Sequence, residues 1–170
     1  MSAINVIKNI DTERYDVTLI GITEEGKWLL VDSVEQIEDE SWRKNTTTAI
    51  LSPDATEKSV IVLKDGKAEM IRIDVVFPVL HGLWGEDGTI QGVLNYLGIP
   101  YTGPGVTASA MAIDKDLTKR VWRSAGIPVP EGVMIDPKAD DAVLEEAIAC
   151  LGATGLVVKP AHDGSSIGVT

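Results

Sequence analysis

Several kinds of residue are scarce in this chain of 170 residues, and each scarcity excludes a class of protein. The single cysteine, Cys150, excludes an internal disulfide and a four-cysteine zinc site. No stretch approaches the ~18 consecutive apolar residues of a membrane-spanning helix. The first residues carry no basic region followed by an apolar one, so secretion is not predicted. We therefore expect a cytoplasmic protein that has no membrane partner.

Basic residues are also few. The chain has 15 Lys and Arg against 26 Asp and Glu, which gives a net charge of −11. A chain this acidic is a poor general binder of nucleic-acid phosphates, so no nucleic-acid partner is expected. If the ligand is an anion, a few local cations must hold it. The remaining composition, 44% hydrophobic and 24% charged, is that of a folded globular protein.

Two glycine patterns resemble nucleotide-binding loops but are better explained as turns. Residues 21–28 (GITEEGKW) match most of a phosphate-binding P-loop, yet Trp28 stands where a hydroxyl should meet magnesium. Two glutamates in the same stretch would repel phosphate. Gly103 and Gly105 match the start of a dinucleotide-binding motif, but no acidic residue follows at the ribose position. Binding of NAD is therefore not expected.

Apolar periodicity predicts helices that alternate with strands, which is the pattern of an α/β fold. Residues 74–80 (DVVFPVL) are nearly all apolar, which is typical of a strand buried on both faces of a parallel sheet. Asp65-Gly66 predicts a hairpin turn, Asp114 is a candidate N-cap, and Cys150 is expected to be a small buried residue. Other strands are predicted over residues 15–22, 28–31, 59–63, 68–73 and 155–159. Helices are predicted over residues 3–10, 90–97 and 140–151, and one or two helices over residues 107–125.

A polar, glycine-rich loop at residues 81–89 (HGLWGEDGT) separates the predicted strand 74–80 from a predicted helix. Ligands of α/β sheets bind at such strand ends. The glycines let backbone amides approach a ligand closely, and the helix start favours a carboxylate or a phosphate. His81 can donate or accept a hydrogen bond, while Glu86 can orient His81 or bind an ammonium group. The alternative, from spacing alone, is that both residues only satisfy a tight loop.

A cation and a glycine-serine loop stand together near the end of the sequence. Lys159 closes a predicted strand, and residues 164–168 (GSSIG) follow it. A lysine point charge beside a cradle of backbone amides suits a polyphosphate. Lys115 and Lys119 share one face of a predicted helix and add basic groups. The alternative, from spacing alone, is that the loop is a surface turn and that the lysine pair lies on a solvated helix face.

Two segments, in this order and spacing, resemble the D-alanine–D-alanine ligase family of the ATP-grasp superfamily. They are LHGLWGEDGTIQGVLNYLGIPYTGPGVTASAMAIDKDLTK, residues 80–119, and GLVVKPAHDGSSIGV, residues 155–169. The resemblance implies a pre-ATP-grasp, Rossmann-like domain over residues 1–106, without its first strand. It also implies the beginning of an ATP-grasp central domain over residues 107–170. We expect an internal fragment, truncated at both ends and inactive alone.

The activity implied by the resemblance is ATP-dependent formation of the D-alanyl-D-alanine dipeptide through an acyl phosphate, for peptidoglycan precursor synthesis. ATP and D-alanine are then the ligands, and complete enzymes of this kind are expected to be homodimers. The Mg²⁺ ligands of the family would lie beyond Thr170, so no metal ligand is assigned in this sequence. Two alternatives stay open: a D-alanine–D-lactate ligase and a non-catalytic remnant.

The resemblance also implies roles for six residues. His81 and Glu86 would line the first D-alanine site, with Glu86 orienting His81. Ser165 would belong to a hydrogen-bonded set that closes the site. The nucleotide phosphates would be held by the side chains of Lys115 and Lys159 and by the amide of Ser166.

Overall fold

The computed structural model describes residues 2–152, 155–164 and 168–170. Helices and strands are mixed along these residues, and the expected fold class of helices combined with a sheet is confirmed. None of the described helices is long and apolar enough to span a membrane. The helices are α1 (Ser2–Asn9), α2 (Val34–Glu38), α3 (Thr89–Tyr96), α4 (Val106–Ile113), α5 (Lys115–Ser124) and α6 (Asp141–Leu151). The strands are β1 (Leu19–Ile22), β2 (Trp28–Val31), β3 (Thr48–Leu51), β4 (Ser59–Lys64) and β5 (Lys67–Arg72), and a short 3-10 helix, Ser41–Lys44, precedes β3.

The five strands form an antiparallel meander in which each strand pairs with the next one along the chain. The predicted hairpin between β4 and β5 is confirmed, with Asp65 at φ 50° and Gly66 at φ 73°. Both values lie in the left-handed region that a tight two-residue hairpin turn requires. Because side chains alternate between the faces of a strand, Val60 and Val62 point together into one apolar cluster with Ala49.

A second apolar cluster is built from Leu29 and Val31 of β2 and from Trp42 of the 3-10 helix. The Trp42 ring lies directly over Gly21 of β1. A Cβ atom added at Gly21 would lie 2.4 Å from two carbons of that ring. Glycine is therefore required at this strand position, because any side chain would displace the ring from the core.

The chain folds as two compact units. The first comprises Met1–Val79 and Val93–Thr102 and contains the sheet with both apolar clusters. The second comprises Leu80–Gly92 and Gly103–Thr170. It contains the glycine-rich loop 81–89 together with α4, α5 and α6.

The strand predicted over residues 74–80 is wrong. Val76 alone forms a parallel bridge, with Tyr101, and its backbone bonds Pro100 and Thr102 on one side. Val75 and Phe77 are 49% and 56% exposed, so the segment is not buried on both faces. An apolar run becomes a central strand only when neighbours pair with both of its edges, and the described residues supply one edge.

The strand predicted over residues 155–159 is also absent. The described residues show one reciprocal pair of backbone hydrogen bonds, between Val158 and Thr170. Cys150 of α6 is exposed, contrary to the expectation of a buried residue. On the apolar face of that helix Ala147 is buried, whereas Ile148 is 48% exposed. The periodicity correctly predicts the helix, but periodicity does not establish that the described residues cover its apolar face.

Two helix starts are capped by aspartate side chains. Asp114 begins α5 by accepting the amides of Asp116 and Leu117, which confirms the predicted N-cap. Asp140 begins α6 in the same way through the amide of Val143.

Candidate functional site

The glycine-rich loop 81–89 is held in shape by its own acidic side chains. Glu86 Oε2 accepts the amide of Gly82 at 2.6 Å, and the Glu86 amide donates to the Gly82 carbonyl at 2.9 Å. Gly82 has φ 72°, a left-handed conformation that favours glycine. These bonds fix the direction of the Glu86 carboxylate. Its second oxygen, Oε1, has no hydrogen bond among the residues that the structure describes.

Asp87 closes the other half of the loop. Its carboxylate accepts the amide of Trp84 at 2.8 Å and the amide of Thr89, the first residue of α3, at 2.9 Å. Burial alone would raise the pKa of Asp87, but the hydrogen bonds from Trp84 and Thr89 outweigh it and lower that pKa. A charged Asp87 therefore stabilises both the turn and the start of α3.

A buried amide side chain ties the loop to α3. Gln91 is 6% exposed, and its Nε2 donates to the Gly85 carbonyl at 2.8 Å. At Gly85 an added Cβ would lie 2.4 Å from Cβ of Leu80. Gly88 is confined as well, since a Cβ added there would lie 2.9 Å from the Val106 carbonyl oxygen. Close packing therefore requires glycine at both Gly85 and Gly88.

The start of α5 is joined to the segment 161–164. The Lys115 amide donates to the Ala161 carbonyl at 3.0 Å, and the Lys115 ammonium donates to the Asp163 carbonyl. His162 Nε2 lies 3.0 Å from Asp114 Oδ2. The hydrogen bond from the Leu117 amide lowers the pKa of Asp114 most, burial opposes it, and the contacts with His162 and the Asp116 amide lower it further, so that the net direction is downward. Asp114 is therefore the charged partner of both the helix start and the histidine.

The segment 161–164 also contacts the glycine-rich loop. A Cβ added at Gly164 would lie 2.9 Å from both Glu86 Oε2 and Cα of Gly82. Asp163 fixes the turn at this point, because its Oδ1 accepts the Gly164 amide at 2.8 Å. Three sequence motifs separated along the chain thus meet inside one compact unit: the loop 81–89, the start of α5 and the segment 161–164.

The structure places the predicted site residues unequally. Glu86 and Lys115 lie in the contacts just described, and His81 directly precedes Gly82 on the exposed side of the loop. Among the described residues no hydrogen bond joins Glu86 to His81, so the orienting role stays a prediction. Lys159 is exposed in the stretch that leads to the segment 161–164. Ser165 and Ser166 lie outside the described residues.

Sequence reasoning did not single out His162 or Asp163. Asp163-Gly164 carries a local signal, since an Asp before a glycine often bonds the backbone of a turn. The contact between His162 and Asp114 joins residues 48 positions apart, and no periodicity or spacing rule reports such a contact.

An open depression of about 490 Å³ lies elsewhere, between the β1–β2 turn and the 3-10 helix. Its lining includes three glutamates and one arginine, Arg43, which pairs with Glu40. The net charge of the lining is therefore negative, which disfavours phosphate or carboxylate ligands. Residues 23–27 connect β1 to β2 in a hairpin turn, in which the Thr23 amide donates to the Lys27 carbonyl at 2.9 Å. The interpretation of residues 21–28 as a turn is thus confirmed. No group of three or more His, Cys, Asp or Glu side chains among the described residues is placed to hold a metal ion.

Comparison with known proteins identifies relatives of the whole chain. The family model described as D-ala D-ala ligase N-terminus matches residues 1–104. A D-alanine–D-alanine ligase of Rhodococcus erythropolis is 45% identical, and one of Thermoanaerobacter sp. strain X514 is 42% identical. Each match covers 100% of this chain and 48% of the relative. The chain therefore spans about half the length of the curated relatives it matches.

Solved structures give the same result. The VanG D-Ala:D-Ser ligase of Enterococcus faecalis matches with a TM-score of 0.80 and 36% identity, over 99% of this chain and 49% of that one. The D-alanine–D-alanine ligase of Coxiella burnetii matches with a TM-score of 0.79 and 32% identity, over 99% of this chain and 50% of that one. The family model and these relatives together show that the chain belongs to the D-alanine–D-alanine ligase family.

Proposed function

We propose that this chain is part of an ATP-dependent D-alanine–D-alanine ligase. It contributes residues that bind D-alanine and residues that bind the phosphates of the nucleotide. The reaction joins two D-alanines through an acyl phosphate and provides the dipeptide for peptidoglycan precursors. One observation carries the proposal. The loop 81–89, Lys115 and the segment 161–164 are held together by hydrogen bonds and close glycine packing within one unit. Catalysis of this kind depends on positioning and on charge neutralisation, which such an arrangement supplies.

Lys115 is suited to hold a phosphate. An ammonium group has three donors, and the Asp163 carbonyl takes one of them, which fixes the direction of the side chain. Its other donors have no hydrogen-bond partner among the described residues, and we propose that they bond phosphate oxygens. Lys159 adds an exposed cation just before the segment 161–164, and we propose that it binds the phosphates together with the amide of Ser166.

Glu86 and His81 are suited to a D-alanine. The Glu86 carboxylate is oriented through Oε2, and Oε1 can accept a hydrogen bond from the ammonium group of the amino acid. His81 is an exposed residue at the start of the same loop, and it can form a hydrogen bond with the substrate carboxylate. Ser165 is proposed to help close the site, and the role of Glu86 in orienting His81 is retained as part of the proposal.

Mg²⁺ does not fit the described residues, which offer no group of three metal-ligating side chains. No step of the proposed reaction is therefore assigned to Mg²⁺ within this chain. We further propose a pre-ATP-grasp domain over residues 1–106 and the start of an ATP-grasp domain from residue 107. The end of the family match at residue 104 supports this boundary. The assembly proposed for the complete enzyme is a homodimer, which sedimentation at several concentrations tests.

Titration with ATP tests the proposed function. The chain is expected to bind ATP saturably, and Lys159→Met to weaken binding about tenfold, because a charged hydrogen bond to phosphate is lost (~1.5–3 kcal/mol). Lys138→Met is the matched control, since Lys138 is an exposed lysine of the same unit. Absence of saturable binding by the unchanged chain would favour a non-catalytic remnant.

Phosphate release separates binding from turnover. We expect the chain alone to bind ATP without D-alanine-dependent release of phosphate. Release by the pure chain that disappears in Lys159→Met would contradict this expectation and show that the chain is active unaided.

A further inference from the structure

Three contacts join the same two short segments, residues 114–115 and 161–163. The Lys115 amide bonds the Ala161 carbonyl, the Lys115 ammonium bonds the Asp163 carbonyl, and the Asp114 carboxylate bonds His162. The first two contacts involve backbone carbonyls and are independent of side-chain identity at the acceptor. The contact between Asp114 and His162 is the one that depends on two side chains.

Asp114 uses its two carboxylate oxygens for different purposes. Oδ1 accepts the amides of Asp116 and Leu117 and so starts α5, whereas Oδ2 lies 3.0 Å from His162 Nε2. The side chain of Asp114 is 24% exposed and that of His162 is 69% exposed. The helix start holds the carboxylate in place, and the more exposed histidine docks against it.

The docked histidine lies beside the residue that orients Lys115. His162 immediately precedes Asp163, whose carbonyl accepts the Lys115 ammonium. Docking of His162 therefore fixes the backbone position of that carbonyl relative to α5. Without the contact between His162 and Asp114, the segment 161–164 would be tied to α5 through Lys115 alone. The Asp163 carbonyl that accepts the Lys115 ammonium would then be less constrained.

We propose that Asp114 and His162 are positioning residues that fix the segment 161–164 against the start of α5 and so orient Lys115 toward a phosphate ligand. The contact of 3.0 Å between His162 Nε2 and Asp114 Oδ2 is the side-chain link that holds the two segments together. The phosphate-related part of the proposal rests on the proposed function. The anchoring of the segment does not.

Other charged groups near this contact are engaged elsewhere. Asp163 bonds the Gly164 amide, and Asp116 pairs with Arg120 on α5. The titratable and charged groups on the elements that meet here are those of α5 and its cap, those of the segment 161–164 and those of the loop 81–89: Asp114, Lys115, Asp116, Lys119, Arg120, Arg123, His162, Asp163, His81, Glu86 and Asp87. Because His162 is mostly exposed, solvent weakens its interaction with Asp114, and the expected effects are modest.

Hydrogen exchange of the full chain tests the anchoring. Peptides within residues 155–164 are expected to exchange about threefold faster in His162→Ala than in the unchanged chain, because the exposed contact between His162 and Asp114 is lost. Asp114→Asn is expected to do the same, because Asn still caps a helix while its amide lacks the carboxylate charge. Asp116→Asn is the matched control on the same helix turn and is expected to leave these rates unchanged.

Rescue by a conservative variant distinguishes positioning from a merely structural role. His162→Gln keeps a donor near the position of Nε2, so it is expected to restore the protection of residues 155–164 that His162→Ala loses. Unaltered exchange in His162→Ala, or no recovery in His162→Gln, would overturn the proposal.

Titration of the same proteins with ATP tests the link to Lys115. His162→Ala is expected to bind ATP about threefold more weakly than the unchanged chain, and His162→Gln to recover part of that loss. Equal ATP affinity of His162→Ala and the unchanged chain would refute orientation of Lys115 for phosphate. If the unchanged chain binds no ATP while the exchange differences are present, the proposed function fails and the anchoring by Asp114 and His162 stands.

Discussion

The two compact units of the chain are stabilised by different kinds of contact. Among the residues that the structure describes, the largest fully buried side chains are apolar in the unit with the sheet, namely Leu29, Val60 and Leu94, whereas the other unit contributes Ser109. The sheet unit is thus organised around apolar side chains. The unit that carries the candidate site is organised around carboxylates that bond backbone amides, with Asp87 and Asp114 as examples.

This difference indicates which region tolerates change. Full burial of a large apolar side chain is worth about 1.5–3 kcal/mol, whereas a helix cap is worth about 1 kcal/mol. The sheet unit is therefore expected to be the more stable region, and the site unit is expected to open locally at a lower free-energy cost. A binding site made of short polar contacts is also one that pH and single substitutions can adjust without loss of the sheet.

Removal of a core side chain from the sheet unit gives the largest expected effect. Leu29 has no exposed surface, and Leu29→Ala is expected to lower the free energy of unfolding by about 2–5 kcal/mol, because the lost contacts leave a cavity. Urea denaturation followed by circular dichroism measures the change. Leu63→Ala is the control, since Leu63 is 42% exposed on the same sheet and its loss should cost less than about 1 kcal/mol. Similar losses for the two variants would contradict a core centred on Leu29.

A methyl group at Gly164 is expected to break the site and spare the sheet. The added Cβ would lie 2.9 Å from Glu86 Oε2 and from Cα of Gly82, so the segment 161–164 must move. Such overpacking costs about 1–3 kcal/mol, and we expect at least tenfold weaker ATP binding. Gly155→Ala is the matched control, since a Cβ there meets no atom within 4 Å. Unchanged ATP affinity in Gly164→Ala would show that contact with the glycine-rich loop is dispensable.

The smallest expected effect concerns the pH dependence of the glycine-rich loop. The pKa of Asp87 is lowered in the folded chain, so its contribution to stability is complete above the unfolded pKa of about 3.9 and is lost as pH falls through the folded value. Protection of loop amides against exchange is therefore expected to fall below about pH 4. Asp87→Asn is expected to weaken this dependence and to cost less than about 1 kcal/mol at pH 7, because Asn still accepts an amide hydrogen bond. An identical acid profile in the variant would contradict the role of the charge.

Features set by neighbouring residues were predictable from the sequence. The β4–β5 hairpin follows from Asp65-Gly66, and the start of α5 follows from Asp114, because turn and cap geometries depend on a few adjacent residues. The helix α6 was predicted by its period. Each of these elements closes its hydrogen bonds within a short stretch of chain.

Features that depend on distant partners were not predictable. Residues 74–80 and 155–159 have the composition of strands, yet a strand requires partner edges that composition does not reveal. Docking of His162 on Asp114 was missed for the same reason. The motifs predict the chemistry of the candidate site, whereas the contacts that join those motifs became visible only in the folded chain.

The glycine-rich loop carries a built-in optical probe. Trp84 has φ 70° and a side chain that is 73% exposed, two residues before Glu86, whereas Trp42 is 9% exposed in the core of the sheet unit. The two indoles therefore sit in environments of very different polarity, and a soluble quencher such as iodide should extinguish the emission of Trp84 far more than that of Trp42. Trp122 is 44% exposed and is quenched as well, so the part of the quenching that is lost in Trp84→Phe is the part that belongs to the loop. That part is expected to change when the proposed ligand binds, in real time and without a label.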